Sequence, residues 1–494
     1  MNYRMIKTTL GWLLIFEAAF FILPLITGIV YGELWPSLSF VFSILIALAA
    51  GFSLVFFMKP KTKKLYSKDG FVIVALSWIA LSLFGALPFI FTGATNNPDA
   101  SFFENIVNAL FESASGFTTT GASVISNIEA QPASILLWRS FTHWIGGMGV
   151  LVFIMAFLPL GGAQNMHIMK AESPGPSVSK LVPKIRTTAA ILYSIYIFMT
   201  VLQIGLLMIF DVSFFEALNI TLSTAGTGGF GIMNNSMESY SSIVQIITAV
   251  FMFLFSINFS SYYLAMKGKL KDSLNSELRA FVIIVAVAIT ILTVDVMSAQ
   301  IYSSLGEAIK HTSFTVSSII STTGFSTTNF SAWPELSRTI IVLIMFIGAC
   351  AGSTGGGMKV SRIIILVKGF IREIGSIIHP KQVKKITLDK KPVDHEVVRS
   401  VNAYIACYAV IFVASLILIS FDERDLITNF TSVTSAINNV GAGIDGIGPY
   451  SSEGFAAFTP FSKLVLTFDM IAGRLELFPM LVLFNPFIYR KKKS

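Results

Sequence analysis

Apolar runs long enough to cross a bilayer recur along the chain, and several are separated by a shorter apolar run that is not. The long runs cover 11–31, 36–58, 70–92, 134–160, 187–210, 241–266, 280–302, 339–371, 400–420 and 464–489. Each meets the roughly 17–25 residues that a helix needs to cross the hydrocarbon core, and ten crossings put both termini on one side. The shorter runs, such as SFFENIVNALFESAS at 101–115 and SFFEALNITLST at 213–224, are too short to span. They end in stretches of glycine and hydroxyl side chains.

Those endings repeat. Placing Gly121 over Gly229, Gly324 and Gly441 aligns SASGFTTTGA, TLSTAGTGGF, TVSSIISTTGF and VTSAINNVGA without a gap over the last ten positions. Each lies between two long runs, so the chain reads as one unit of helix, short helix, glycine loop and helix, written four times. The units are 70–186, 187–279, 280–399 and 400–494, and residues 1–69 supply two further crossings outside the repeat. Irregular backbone at membrane depth is tolerated only where it lines water or is buried in protein. The predicted fold is therefore an all-α polytopic membrane protein: four repeats of helix, re-entrant pore helix with filter loop, and helix around one pore, plus two extra N-terminal transmembrane helices.

Composition and charge agree with that plan. A chain of 494 residues that is 54% hydrophobic and only 13% charged exceeds what a soluble core hides. The net charge of +8 raises the question of nucleic acid, but the basic residues cluster between apolar runs, the distribution that orients a membrane protein. Lys59, Lys61, Lys63, Lys64 and Lys68 fill one loop, Lys170, Lys180, Lys184 and Arg186 the next, then Lys267, Lys269, Lys271 and Arg279, the stretch Lys381–Arg399 and the tail Arg490–Lys493. This side is expected to be cytoplasmic, with both termini on it. On the other side Asp and Glu outnumber Lys and Arg by 15 to three, either as the complement of that bias or as a mouth that concentrates cations. Cys350 and Cys407 fall in membrane segments, where thiols act as small hydrophobes. The first apolar run is of spanning length and lacks a small-residue cleavage site, so no cleavable signal peptide is expected.

The chemistry sits in the four loops. Helices aiming their C-terminal ends at one centre focus partial negative charge there, which favours a cation. Backbone carbonyls and hydroxyls of Thr119, Thr120 and Gly121, of Thr227, Gly228 and Gly229, of Thr322, Thr323 and Gly324, and of Asn439, Val440 and Gly441 then replace the hydration shell of a monovalent ion. Glu112 and Asp445 have no equivalents in the other repeats and are expected to be local hydrogen-bonding or mouth residues. Two GxGxxG matches, Gly226–Gly231 and Gly441–Gly446, neither follow a strand nor open a βαβ unit and do not indicate a dinucleotide site. The five histidines form no metal spacing, and His143, near Arg139, is expected to satisfy local polar groups. A polytopic membrane enzyme would need a cluster of His, Asp or Glu at metal or acid–base spacing, which the chain lacks.

Two membrane segments are unusual. CAGSTGGG at 350–357 is a poor helix interior; it is either a site of close helix packing or a flexible gate below the filter, built of Gly352, Ser353, Thr354, Gly355, Gly356 and Gly357. The last crossing carries Asp469, Arg474 and Glu476 at membrane depth, where charges are costly and usually functional. Asp469 and Glu476 are expected on one face. Arg474 is unpaired within its helix and is expected to hold the glycine-rich segment across the path. Deleting Gly355–Gly357 is then expected to raise flux and leave ion preference intact.

TTTGAS, TGGFG, STTGFST, NNVGAG, CAGSTGGGMK and GRLELF resemble, in order and over essentially the whole chain, the Trk/Ktr/HKT cation transporter superfamily. The two extra N-terminal crossings and the loop Glu172–Ala189 are most similar to its bacterial TrkH-type branch. The resemblance implies potassium uptake at the cell inner membrane, with K+ as the transported ion and no nucleotide cofactor in this chain. It further implies a homodimer with one pore per protomer, and a cytoplasmic nucleotide-binding TrkA-type regulatory subunit. Glycine at 121, where a serine would suggest sodium, favours potassium over the rival of sodium-carrying or sodium-coupled transport. Gly231 and Ala442 depart from the more usual Ser and Pro.

Overall fold

The computed structural model describes residues 1–57, 66–98, 100–149, 185–379, 385–389, 391–451 and 454–486. Lys59, Lys61, Lys63, Lys64, Lys170, Lys180, Lys184, Lys381, the tail Arg490–Lys493 and the fourth apolar run beyond 149 lie outside the described residues.

Tyr3–Phe20 (α1) and Ile22–Val30 (α2) make the first crossing and Leu34–Phe57 (α3) the second. The first helix starts well before position 11, because Asn2 caps it by accepting from the Met5 amide at 3.2 Å, and Met5 and Ile6 are buried. In the unit 70–186, Ser67–Gly85 (α4) and Leu87–Thr92 (α5) precede the short Phe102–Phe117 (α6), and Ala133–Gly147 (α7) follows. The next unit has Ile185–Ile209 (α8), the short Phe214–Gly226 (α9), then Ser242–Phe255 (α10) and Phe259–Met266 (α11), which meet at 89°. After the turn Leu270–Ser273 (α12), the third unit runs Ser276–Ser298 (α13), Leu305–Ile320 (α14), Glu335–Ile347 (α15) and Val360–Ile378 (α16). The fourth runs His395–Ile419 (α17), Leu426–Asn438 (α18), Pro460–Arg474 (α19) and Phe478–Leu483 (α20).

The fold is not wholly helical, since Thr387–Leu388 and Lys391–Pro392 form a small antiparallel pair. Nor is every apolar run one helix. Among the described residues six helical stretches are long and apolar enough to cross a membrane, seven if α10 and α11 count as one bent span. The runs 339–371 and 464–489 are broken, the first between α15 and α16, the second after Arg474, where Glu476 and Leu477 take positive φ of 54° and 66°. A helix ladder cannot continue through left-handed residues.

The short helices begin alike. Ser101, Ser213 and Ser304 accept from the amides of Glu104, Glu216 and Glu307, and Asp425 accepts from that of Thr428, each satisfying an otherwise orphaned donor. Their lengths alternate, with 16 residues in α6 and α14 and 13 in α9 and α18, about one turn apart.

Three of the acidic residues cap the helices that follow the loops. The Asp295 carboxylate binds the amide and hydroxyl of Ser337 at 3.0 and 2.6 Å. Asp422 does the same for Thr459 at 2.8 and 2.7 Å. In the first unit Glu33, from the connection between α2 and α3, takes this role on Ala133 and Ser134. These carboxylates are structural caps at positive helix ends, and Glu33 ties the two extra helices to the repeat. Phe21, Phe40 and Phe117 complete that junction around the fully buried Trp138, whose indole donates to the Gly85 carbonyl at 3.1 Å.

Candidate functional site

All four short helices end in the same backbone device. The amides of Thr120, Gly228, Thr323 and Val440 donate to the carbonyls of Ser115, Ser223, Ser318 and Ser435, and those of Thr119, Thr227, Thr322 and Asn439 to Gly116, Thr224, Ile319 and Ala436. This pair of bonds is the Schellman arrangement. It puts Thr119, Thr227, Thr322 and Asn439 at φ of 57°, 56°, 62° and 56°, a left-handed conformation costing on the order of 1–3 kcal/mol for a residue with a side chain. Two residues on, Gly121, Gly229, Gly324 and Gly441 return to positive φ, at 81°, 75°, 85° and 79°.

The loops then close on one another. A Cβ on Gly121 would collide with the Gly228 carbonyl oxygen, one on Gly229 with that of Thr323, one on Gly324 with that of Val440, and one on Gly441 with that of Thr120. Each glycine thus lies against the carbonyl preceding the next glycine, and the fourth meets the first. Thr119, Thr120, Thr227, Gly228, Thr322, Thr323, Asn439 and Val440 are buried, while the four glycines keep partial access. All twelve residues expected from the sequence come together in this ring.

Its quarters are not identical. Ser223 and Ser318 hydroxyls donate to the Phe230 and Phe325 carbonyls at 2.8 and 2.6 Å; in the other two loops Ala122 and Ala442 replace phenylalanine. Asn439 stitches the last loop to the first, its amide reaching Thr120 Oγ1 at 2.9 Å and the Met470 carbonyl at 2.8 Å. Glu112 is no mouth residue. It is fully buried, paired with Arg139 Nε at 2.8 Å, and bonded to Ser123 Oγ and the Val124 amide. Asp445 receives a two-pronged bond from Arg338, both contacts 2.9 Å. His143 departs from expectation: neither ring nitrogen has a hydrogen-bond partner among the described residues. The ring stacks on Phe230 at 4.3 Å and lies flat against Gly228, where a side chain would not fit. Among the described residues no group of three or more His, Cys, Asp or Glu could hold a metal ion.

The glycine-rich segment lies directly against the ring. The Gly356 amide donates to Thr322 Oγ1 at 2.7 Å and the Gly357 amide to the Asn438 carbonyl at 3.0 Å. Gly352 carbonyl and Thr354 hydroxyl bond α11 and the end of α10 through Phe259 and Phe255. Ser353 turns back onto the Cys350 carbonyl at 2.6 Å, and Gly355 packs against the Ser321 carbonyl. Arg474 meets the segment as expected, donating to the Thr354 carbonyl at 2.8 Å. It also reaches the carbonyls of Gly146 and Gly147 at the end of α7, at 2.5 and 2.8 Å.

Three further anchors went unread in the sequence. Buried Lys359 donates to the Gly355 carbonyl at 2.7 Å. Glu277 accepts from the amides of Ala351 and Ser361 at 2.8 and 3.0 Å, so one carboxylate holds both ends of the break. Arg362 pairs with Glu476 and stacks over Tyr404 at 4.2 Å. Lys359 adjoins the conspicuous GGG, which is the signal the sequence offers; Glu277 stands in the first turn of α13, where an acidic residue is ordinary. Asp469 and Glu476 do not share a helix face, because α19 ends between them; Asp469 accepts instead from the Ser415 hydroxyl at 2.8 Å.

Known proteins are similar to this chain in sequence and in overall fold. A family model described as TrkH, cation transport protein, matches residues 37–490. The Trk system potassium uptake protein TrkH of Salmonella typhimurium is 33% identical over 99% of this chain and 100% of its own length, and the TrkG of Escherichia coli K12 is 30% identical over 99% of both. The crystal structure of the potassium transporter TrkH from Vibrio parahaemolyticus superposes with a TM-score of 0.88 at 30% identity, covering 99% of this chain and 100% of that one. This multi-pass membrane protein belongs to the TrkH family of cation transport proteins.

Proposed function

We propose that the chain takes up potassium ions through one gated pore whose selectivity filter is the ring of four loops. The observation that carries this reading is the closure of the ring: four loops of one backbone conformation, each glycine against the carbonyl preceding the next. Carbonyl oxygens at four quarters, at the C-terminal ends of four helices, substitute for the water around a dehydrated cation. The names of the relatives favour potassium over the sodium-carrying rival. An inside-negative potential drives entry, contributing about 2.3 kcal/mol per 100 mV for each charge.

In this reading the four sequence units 70–186, 187–279, 280–399 and 400–494 each supply a quarter of the pore, and the segment Gly352–Gly357 is the gate. Arg474 holds it shut with its bond to Thr354 and sets a positive charge beside the path of a cation. The protein acts as a homodimer in the inner membrane, termini inside. A soluble TrkA-type nucleotide-binding subunit docks on its basic internal loops, where Lys267, Lys269, Lys271 and Arg279 are exposed.

Complementation tests the reading. Expressed in a bacterium lacking its own potassium uptake systems, the chain should restore growth at low potassium. Growth that stays dependent on high potassium, with the protein present in the membrane, would refute it.

A further inference from the structure

The first and second loops are joined by a buried ion pair, a device that the other boundaries of the ring lack among the described residues. Arg139, on α7, sends Nε to Glu112 at 2.8 Å, one terminal nitrogen to Ser123 Oγ at 3.1 Å and the other to the Gly231 carbonyl at 3.1 Å. Ser123 and Gly231 each stand two residues after their loop's glycine, so one rigid guanidinium bridges the same position in adjacent loops. Its face lies 4.1 Å from the Phe230 ring centre, and that ring stacks on His143, which lies against Gly228. Both charged groups are buried, Arg139 at 1% exposure and Glu112 at 0%.

Such a pair is a poor source of stability, because desolvating two charges offsets most of their attraction. The fold itself makes the same point: at the position of Glu112 the other units carry Ile220, Thr315 and Ser432, and their helices form. At the boundary from third to fourth loop, Arg338 meets Asp445 near the surface; from fourth to first, Lys463 reaches Asn108 on the helix α6 at 2.7 Å. Neither touches two loops at once; the direct bonds at these other boundaries are neutral, Asn439 to Thr120 Oγ1 at 2.9 Å between fourth and first, and the Ser326 amide to Ser236 Oγ at 3.1 Å between third and second.

We propose that the Glu112–Arg139 pair is a specificity-determining strut: it fixes the spacing of the first and second loops, and with it the discrimination of potassium from sodium. The proposal rests on the reading of the four loops as the filter. A carbonyl ring selects among ions by cavity size or by the field of its dipoles, and both depend on how firmly neighbouring segments are held. Arg139 and Glu112 are positioning residues that act through the loop backbone.

The test is the ratio of K+ to Na+ flux in liposomes containing full-length protein. Arg139→Lys keeps the charge but lacks the fork for three acceptors; Ser123→Ala removes one bridge without stranding a charge, so it serves if the lysine variant misfolds. The expected result is a ratio lowered about fivefold or more in each variant, the equivalent of one lost bond, with K+ flux and a monodisperse elution profile retained. A merely structural pair would reduce the yield of folded protein and leave the ratio of the remainder unchanged. Gly121→Ser is the control on the filter reading. If it lowers the ratio while Arg139→Lys and Ser123→Ala stay within about twofold of the parent, the strut is refuted; if Gly121→Ser itself changes nothing, the filter reading has failed.

Discussion

Replacing Arg474 by alanine should open the pore, and the structure sets a bound on how far. Of the carbonyls of Thr354, Gly146 and Gly147, only that of Thr354 belongs to the glycine-rich segment; the other two belong to α7. A hydrogen bond from a charged donor contributes about 1.5–3 kcal/mol, and each 1.4 kcal/mol is about tenfold in an equilibrium. Loss of the Thr354 bond should therefore shift the balance of closed and open segment by about 10- to 100-fold. The shift stops short of full opening, because Lys359, Glu277, Thr322 and Asn438 still hold the segment. Radiolabelled rubidium uptake into potassium-loaded liposomes, without any soluble partner, reads it directly. A monodisperse Arg474→Ala protein with the parent's basal uptake would refute the reasoning. Deleting Gly355–Gly357 is a less clean perturbation than the sequence suggested. It removes the bonds to Thr322 and Asn438, both at the ring, so ion preference should change along with flux.

Gly121→Ser places a side chain where the Gly228 carbonyl stands and should lower K+ over Na+ discrimination by about tenfold, read as a flux ratio; an unchanged ratio counts against this loop as filter. Thr322→Val strands the Gly356 amide and, at about 1 kcal/mol for a neutral bond, should raise basal rubidium uptake about fivefold, less than Arg474→Ala; equal or lower uptake contradicts a coupled ring and gate. Glu33→Gln weakens the carboxylate cap on Ala133 and Ser134 and should lower the melting temperature by about 1 °C for each kcal/mol lost, with the flux ratio unchanged. A change in ratio there would place Glu33 in the conduction path.

The ring was legible because glycine, serine and threonine at membrane depth have few other uses, and because four copies in one register mark a shared geometry. Arg474 was legible for a related reason: a charge in an apolar run demands acceptors, and the glycine break supplies them. What escaped were contacts made between separate elements. Thr322 counted as a filter residue, yet its hydroxyl holds Gly356; no spacing in the chain relates the two positions. Glu112 and Arg139 lie far apart in sequence and in different helices, so their pairing needed the packing of α6 on α7. His143 looked like a polar residue in search of partners, whereas its flat ring fills the space that Gly228 leaves. The break after Arg474 was hidden because GRLELF continues an apolar pattern, and only the left-handed Glu476 and Leu477 interrupt it.

The central claim is that four loops together select potassium, and the most direct measurement is the zero-current potential of the purified, reconstituted protein between a potassium solution and a sodium solution. The account predicts a potential close to the potassium equilibrium value for the parent, and a collapse towards zero when Gly121, Gly229, Gly324 or Gly441 is singly replaced by serine. A parent that does not distinguish the two ions, or four substitutions that all leave the potential where it was, would contradict it.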